Sequence, residues 1–308
     1  MTVTFIANLA LVAIFALTTS AQSQMLPHEW SVTFNVVSEA DQPIVDAQAW
    51  VGYMTTNKLT GLTDSNGVFV ARHHDRSFGL ALHVDKRGYY PHWERYELGF
   101  PAQYAVAKWN PTRKIVLKSV MKPIPMYAKR VNLGVPDFGK PIGFDLVVGD
   151  WVSPFGKGNH ADLIFEANID KRAENNWDSK LIVSFQNPGD GIQSFASNSF
   201  RLEEGSKLRS PHNAPEMGYQ PYWVKTSSQR PGEASKYNVD DNLNFFIRIR
   251  TLLDEKGNVK TALYGKIYGD FMQFRYYLNP TPNDRNVEFD PSQNLIKNLK
   301  SFESVRDP

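Results

Sequence analysis

Short segments of alternating apolar and polar residues, spaced about ten residues apart, dominate the chain between residues 30 and 117. In the segment WSVTFNVV, Val32, Phe34 and Val36 fall on one face of an extended strand, because successive side chains of a strand point to opposite sides. Segments of this length and spacing are typical of a β-sandwich or barrel and do not fit the longer units of an alternating α/β fold.

The segment TDSNGVFV looks at first like part of a calcium-binding loop, because Asp64, Asn66 and Gly67 lie close together. An EF-hand loop needs oxygen ligands at alternate positions and a glutamate at its twelfth position. Counted from Asp64, the fifth position is Val68 and the twelfth is Asp75, so the ligand pattern fails. We therefore predict a hairpin turn, in which Asp64 bonds the backbone and Gly67 closes the turn, and no metal site.

Three sequence blocks in this region follow one another as they do in a known family. QPIVDAQAWV has a turn and a Pro-Ile pair before a strand, GLTDSNGVFV has a Thr-Asp-x-x-Gly-x-Phe core, and LHVDKRGYY ends with Lys-x-Gly-Tyr. Together they make residues 31–119 resemble the carboxypeptidase regulatory-like domain family, a transthyretin-like β-sandwich. The resemblance implies a seven-stranded antiparallel sandwich that spaces, docks or binds and rarely catalyses.

The enzymes that give this family its name hold zinc in a separate domain, through a His-x-x-Glu pair and a later His. None of the seven histidines in this chain is followed by Glu three residues later. The resemblance therefore does not extend to carboxypeptidase activity, and we expect no metal, no cofactor and no catalytic residue of that type.

The start of the chain has the pattern of an export signal. An apolar run from Phe5 to Leu17 is followed by Ala21-Gln22-Ser23, a small-x-small cleavage site. The run is too short to span a membrane, so we expect a signal peptide over residues 1–23 that is cleaved near residues 21–23. A retained anchor stays open as an alternative, because no Lys or Arg precedes the run. The expected location is the periplasm, the cell surface or the exterior, with no transmembrane span in the mature chain.

Composition narrows the classes of partner. The formal net charge is +2, which is too weak a field to predict nucleic-acid binding. The chain has no cysteine, which excludes disulfides, thiol catalysis and thiolate metal sites. The sequence does not specify an oligomeric state.

The predicted fold class is all-β, with two domains. We assign residues 30–120 to the transthyretin-like sandwich, residues 121–141 to a Pro-rich linker or edge segment, and residues 142–308 to a second β-sandwich-like domain. In the second domain, Phe245, Ile247 and Ile249 alternate with Phe246, Arg248 and Arg250, as in a half-solvated strand.

A short C-terminal helix is also expected in the segment DPSQNLIKNLKSFE. Asp290 is a good N-cap and Pro291 suits the first helical position. The apolar residues of this segment recur at helical spacing, at Leu295, Ile296, Leu299 and Phe302.

Aromatic residues in or beside Gly-, Pro- and Asn-rich segments are the candidate ligand-binding residues, because such rings can stack on sugar rings or on partner side chains. The alternative is that these rings pack the core. The candidates are Trp151, Trp177, Tyr219, Tyr222 and Trp223, and the segment MGYQPYWVK is the strongest binding-loop candidate.

The expected function is a non-catalytic binding or structural module of the cell envelope or exterior, whose partner is a polysaccharide or a surface protein. The alternative is a glycan hydrolase with a carboxylate-based site in the second domain. Its candidate carboxylates are Asp150, Asp162, Glu166 and Asp190, and His160 shares a strand face with Asp162 and Glu166 if the alternation is strict.

Overall fold

A computed structural model of the protein describes residues 28–52, 58–75, 79–97, 111–132, 134–196, 204–239 and 243–308. The predicted signal peptide, residues 1–23, lies outside these ranges. The described chain is built from β-strands and loops, which confirms the all-β fold class. Across these ranges, no helix has the length and apolar character needed to span a bilayer.

The first seven strands form two facing sheets, as the alternating pattern predicts. They are β1 (His28–Ser38), β2 (Gln48–Gly52), β3 (Leu59–Leu62), β4 (Val68–Asp75), β5 (Gly79–Asp85), β6 (His92–Glu97) and β7 (Thr112–Leu117). One sheet has the order β4-β1-β7 and the other contains β6-β5-β2-β3. The pairing of β1 with β7 is parallel, so the sandwich is not antiparallel throughout. Its core lies between the sheets and includes Phe34, Ala49, Leu82 and Ile115.

The turn around Asp64 confirms the predicted backbone chemistry but not the predicted hairpin. The Oδ1 atom of Asp64 accepts from the backbone amides of Asn66 and Val68 at 2.9 and 2.8 Å, and Gly67 has a φ of 74°. However, β3 pairs with β2, whereas β4 pairs with β1, so the turn carries the chain from one sheet to the other. A Cβ on Gly67 would lie 2.5 Å from the carbonyl oxygen of Val36, so this crossing needs glycine.

Further strands follow in the described ranges, and all of them except Gly205–Ser206 form a second pair of sheets. They are β8 (Tyr127–Val131), β9 (Pro141–Asp145), β10 (Asp150–Trp151), β11 (Leu163–Ala173), β12 (Asn176–Ser184), β13 (Gly191–Ala196), β14 (Gly205–Ser206), β15 (Tyr222–Gln229), β16 (Lys236–Tyr237), β17 (Leu243–Leu253), β18 (Val259–Gly269) and β19 (Phe274–Leu278). A six-stranded sheet has the order β10-β9-β11-β12-β15-β16, and a five-stranded sheet has the order β13-β17-β18-β19-β8. The core between them contains Phe144, Phe165, Val183, Phe245 and Ile247.

Strand β17 is more buried than the alternation predicts. Phe245, Ile247 and Ile249 face the core between the two sheets. Phe246, which points to the other face, is only 4% exposed because a second apolar cluster with Tyr264 and Val287 covers that face. The strand is therefore covered on both sides over part of its length, and a half-solvated strand was the wrong prediction there.

The predicted C-terminal helix is replaced by a segment that covers a sheet edge. Only Pro291–Gln293 is helical, as a single 3-10 turn, with Asp290 as its N-cap as predicted. Beyond it, Asn294 bonds both backbone groups of Ala128 on β8: its amide Nδ2 donates to the carbonyl oxygen at 2.7 Å, and its Oδ1 accepts from the backbone N–H at 3.3 Å. Because these bonds satisfy an otherwise open strand edge, they outweigh the helical spacing of the apolar residues. Phe302, expected on the helical stripe, is 57% exposed.

Strand β8 lies inside the predicted linker, residues 121–141, and pairs with β19. Part of that segment is thus an edge strand of the five-stranded sheet. The division of the chain into domains at these residues stays a prediction.

The two halves of the described chain are joined by buried polar contacts. The carboxylate of Glu288, which is 1% exposed, accepts from the Tyr90 hydroxyl at 3.0 Å and from the backbone amides of Met121 and Lys122 at 3.0 and 2.7 Å. The short strand β14 also pairs with β6, which adds a strand from the second half to a sheet of the first. These contacts fix the halves against each other over a cleft described below.

Candidate functional site

Two of the five candidate rings are part of the hydrophobic core. Trp151 is 5% exposed, and its ring meets Phe144 and Phe165 edge to face, with centroids 5.2 Å apart in both pairs. Trp223 is partly buried against Phe245 and Phe271, at 5.1 and 5.2 Å. For these two residues the core-packing alternative describes the structure, so neither ring is available to stack on a ligand along its full face.

Tyr219 is held by its own loop. Its hydroxyl donates to the carbonyl oxygen of Pro215 at 2.9 Å, and the guanidinium of Arg248 lies 4.8 Å from the centre of its ring. Burial raises the pKa of the Tyr219 hydroxyl, so this group stays a hydrogen-bond donor at physiological pH. The contacts indicate a structural role for the ring within the loop.

Tyr222 is the most exposed of the five candidates, at 58%. It lies on β15 opposite Ser184 of β12. Trp177, at the other end of β12, occupies a position of opposite parity, so its side chain alternates onto the other face of the sheet. The structure therefore does not bring the five predicted rings together on one surface.

A polar groove lies on the outer face of the six-stranded sheet, the face that Tyr222 shares. We call this surface the outer sheet face. The groove has a volume of about 490 Å³ and is lined by Asn168, Asp170, Asp178, Ser179, Lys180, Thr226, Ser227, Ser228, Lys236, Tyr237 and Asn238. These residues come from β11, β12, β15, β16 and the residue after β16, where the sheet extends beyond its apolar core. Tyr237 is 62% exposed at the sheet edge.

Hydrogen bonds hold the floor of the groove in place. Arg230 donates twice to the carboxylate of Asp178, at 2.8 and 3.0 Å, and Arg172 pairs with the same carboxylate. The hydrogen bonds from Arg230 hold the pKa of Asp178 below its usual range, so this carboxylate is charged. Asn238 accepts from the backbone amide of Thr226 at 2.7 Å and thereby replaces a strand partner at the edge. The groove is thus an ordered surface with fixed polar groups.

The candidate carboxylates of the hydrolase alternative are engaged in separate structural roles. Asp162, 1% exposed, accepts from Arg250 Nε at 2.8 Å and from the backbone amide of Leu146 at 2.9 Å. Asp190 accepts from the backbone amide of Thr251 at 2.8 Å, and burial raises its pKa. Both side chains tie loops to the sheets.

The other two candidates lie elsewhere. Asp150 accepts from the backbone amides of Trp151 and Lys157 at 2.9 and 3.0 Å. Glu166 lies on β11 and accepts from the side chain of Asn168 at 3.2 Å. His160 Nε2 lies 3.7 Å from Asp162. Of the two carboxylates predicted to share a strand face with His160, Asp162 is the one that is buried. Considering only the described ranges, we find no group of three or more His, Cys, Asp or Glu side chains that could hold a metal ion.

Sequence reasoning missed Tyr237 and most of the groove. The available signal was the run KTSSQ on β15, in which small hydroxyl residues replace the apolar alternation of a core strand. A polar run in a strand indicates a stretch that projects past the core, and Tyr237 lies opposite Ser227 in this stretch.

Comparison with known proteins gives only distant likenesses. No family model matches the chain, and no curated protein matches it. Among solved structures, 3-chlorocatechol 1,2-dioxygenase from Rhodococcus opacus is 14% identical, with a TM-score of 0.25; the match covers 32% of this chain and 62% of that one.

Two further solved structures match most of the chain. A DUF3823 family protein from Parabacteroides merdae is 8% identical, covers 85% of this chain and 99% of its own, and gives a TM-score of 0.21. The major pilin subunit of Bacillus cereus is 11% identical, covers 84% and 99%, and gives a TM-score of 0.24. Likenesses this distant carry no information about function, so the function has to be argued from the surface of this chain.

Proposed function

We propose that the protein is an exported, non-catalytic binding module that holds a neutral polysaccharide on the outer sheet face. The observation that carries the proposal is an ordered groove of hydroxyl, amide and charged side chains on the outer sheet face, with the exposed Tyr222 farther along that face and the exposed Tyr237 at the sheet edge.

The chemistry of the groove suits a sugar chain. Sugar hydroxyls both donate and accept, as do the hydroxyls of Thr226 and Ser228, and the apolar faces of sugar rings stack on aromatic rings. The lining carries two lysines and two aspartates, so its formal charges cancel. A balanced groove favours a neutral polymer over a strongly anionic or cationic one.

The proposal places the protein outside the cytoplasm, in the periplasm, on the cell surface or in the exterior, with residues 1–23 as the signal peptide. It also assigns residues 30–120 to the carboxypeptidase regulatory-like family as an accessory sandwich. The described residues from His28 to Leu117 contain seven strands, the number that the resemblance implies, and this supports the assignment; the parallel pairing of β1 with β7 departs from it.

The test is isothermal titration of the mature protein with neutral polysaccharides, for example xylan and a β-glucan. We expect saturable binding that weakens about tenfold when Tyr222 or Tyr237 is changed to Ala, since a stacked ring contributes about 1–2 kcal/mol. Phe302→Ala is the matched control, because this ring is similarly exposed, at 57%, but lies away from the groove. It should leave the affinity unchanged.

Other outcomes would decide against the proposal. Binding that survives in both tyrosine variants would move the site off the outer sheet face. Release of reducing ends from the polysaccharide would favour the hydrolase alternative. A lack of binding to every neutral polysaccharide, together with capture of a purified surface protein through this face, would replace the sugar chain with a protein partner.

A further inference from the structure

A second cleft lies between the two halves of the chain, separate from the outer sheet face. Its volume is about 320 Å³. The first half contributes residues of β5 and β6, and the second half contributes β8, the β14 region, β18, β19 and a residue beyond the last strand. The residues that line it include Trp93, Arg130, Ser206, Arg209, Arg275 and Tyr277.

Positive charge dominates this cleft. Arg130, Lys207, Arg209 and Arg275 line it, against the carboxylates of Glu204 and Asp307. Arg275 is paired with Asp307 at 3.3 Å, between Nη1 and Oδ2. Two positive charges therefore remain in excess, which contrasts with the balanced outer sheet face.

The cleft also contains buried polar atoms without hydrogen-bond partners. Tyr277 is 0% exposed, and its hydroxyl is unpartnered within the part of the chain that the structure describes. The same holds there for Ser206 Oγ and for Nδ1 of His83 and of His92. A buried, unpartnered hydroxyl costs stability unless something else satisfies it. The pKa of Tyr277 is raised mainly by burial, so the hydroxyl stays protonated and can donate.

We propose that this cleft binds an acidic sugar unit, a single sugar ring that bears a carboxylate. The positively charged arginine and lysine side chains bind the carboxylate of the sugar, because a guanidinium group pairs with a carboxylate through two parallel hydrogen bonds. The unpartnered hydroxyl and imidazole atoms form hydrogen bonds with the sugar hydroxyls. The partly exposed ring of Trp93 borders the space, and a volume of this size is at the low end for ligand pockets, which fits a monosaccharide.

The test uses the full mature protein and three small probes: galacturonate, galactose and inorganic phosphate. We expect galacturonate to bind saturably at low salt and at least about tenfold more tightly than galactose, as a charge-assisted pair adds that much. Raised salt should weaken galacturonate binding. Phosphate that binds as tightly as galacturonate, or galactose that does so, would overturn the proposal.

Two tyrosine variants locate the site. Tyr277→Phe removes the unpartnered hydroxyl of a residue that lines the cleft, and it should weaken galacturonate binding about fivefold, the effect of one neutral hydrogen bond. Tyr276→Phe is the matched control, because Tyr276 is the neighbouring residue, is also 0% exposed and has a hydroxyl without a partner among the described residues, but does not line the cleft. It should leave binding unchanged. Equal effects of both variants would refute the site.

A third variant separates a loss of binding from a loss of folding. Arg130 is exposed at the cleft, so Arg130→Gln should fold normally and weaken galacturonate binding while leaving galactose binding unchanged. Tyr222→Ala, on the outer sheet face, should leave galacturonate binding unchanged, which separates this proposal from the neutral-polysaccharide site. Unaltered galacturonate binding in Arg130→Gln would contradict the proposal.

Discussion

Lys266 is a charged residue in an unusual setting. It is 0% exposed on β18, its Nζ donates to the Ser210 hydroxyl at 3.3 Å, and the rings of Tyr277 and Tyr268 lie 4.8 and 5.2 Å from the same atom. Burial lowers the pKa of its amine to about 7. A residue of this kind cannot be recognised in sequence, because its alternation on the strand looks like that of any surface lysine.

The shifted pKa of Lys266 predicts a pH dependence of stability. Between about pH 7 and the unfolded value of 10.5, the unfolded chain binds the proton and the folded chain does not, so the free energy of unfolding rises with pH in this window. The rise is at most about 1.4 kcal/mol per pH unit. Below pH 7 both states hold the proton, and the contribution is constant.

Urea denaturation of the protein from pH 6 to pH 10 measures this effect. Lys266→Met should remove the part of the slope that Lys266 contributes and should stabilise the protein below pH 7, where it deletes a buried charge. Lys260→Met, an exposed position on the same strand, should leave the slope as it is. A wild-type slope in Lys266→Met would refute the argument.

At the scale of elements, local turns were predictable and distant pairings were not. The DEKGN segment predicts a turn, because Asp254 can bond the backbone and Gly257 tolerates a positive φ. The structure has this turn: Asp254 accepts from the amides of Lys256 and Asn258, and Gly257 has a φ of 81°. The Asp64 turn was predicted for the same local reason, but its crossing between sheets was not, because pairing partners lie far away in the chain.

The C-terminal segment also shows that local sequence signals do not determine which strand a segment pairs with. Residues 290–302 have a good N-cap and helical apolar spacing, both local signals, yet they follow the edge of β8. Helical propensity is a weak preference that a set of tertiary hydrogen bonds overrides. Leu295 shows this directly, since its backbone amide donates to the carbonyl oxygen of Met126 at 2.9 Å. Likewise, burial of Trp151 depends on the facing sheet, which no local pattern describes.

Asn294→Ala should therefore weaken the fold. The change leaves the backbone N–H and C=O of Ala128 without their partner, which we expect to lower the free energy of unfolding by about 1–3 kcal/mol. It also opens part of a sheet edge, so self-association should increase. Chemical denaturation and light scattering measure the two effects.

The control for Asn294→Ala is its neighbour. Gln293→Ala removes an exposed side chain that bonds only the adjacent Asp290, at 2.6 Å, and should change stability by less than about 0.5 kcal/mol. If the two variants behave alike, the edge-covering role of Asn294 is wrong.

At the scale of the whole molecule, Glu288 is the residue that couples the two halves. Its carboxylate accepts hydrogen bonds from the Tyr90 hydroxyl in the first half and from the backbone amides of Met121 and Lys122 in the segment after it. His212 Nδ1 lies 3.2 Å from Glu288 Oε1. The Tyr90 hydroxyl is buried, so it depends on this one carboxylate. The coupling should make the described chain unfold as one cooperative unit.

Glu288→Gln tests the coupling. The side-chain amide that replaces the carboxylate places its NH2 donor against one of the donors that bond to Glu288. We expect this to lower the free energy of unfolding by about 2–3 kcal/mol. Calorimetry should then show two transitions where the wild-type protein shows one. Glu39→Gln is the control, since Glu39 also pairs with His212, at 3.1 Å, but is 40% exposed. A single, unshifted transition in Glu288→Gln would contradict the coupling.

The segment that covers β8 also sets an order of events during synthesis. The bond between Asn294 and Ala128 spans 166 residues of sequence, and the one between Glu288 and Tyr90 spans 198. A ribosome thus releases the edge strand and the Tyr90 hydroxyl long before it makes their partners. A growing chain therefore presents an open strand edge to its surroundings until the segment around Asn294 has been made.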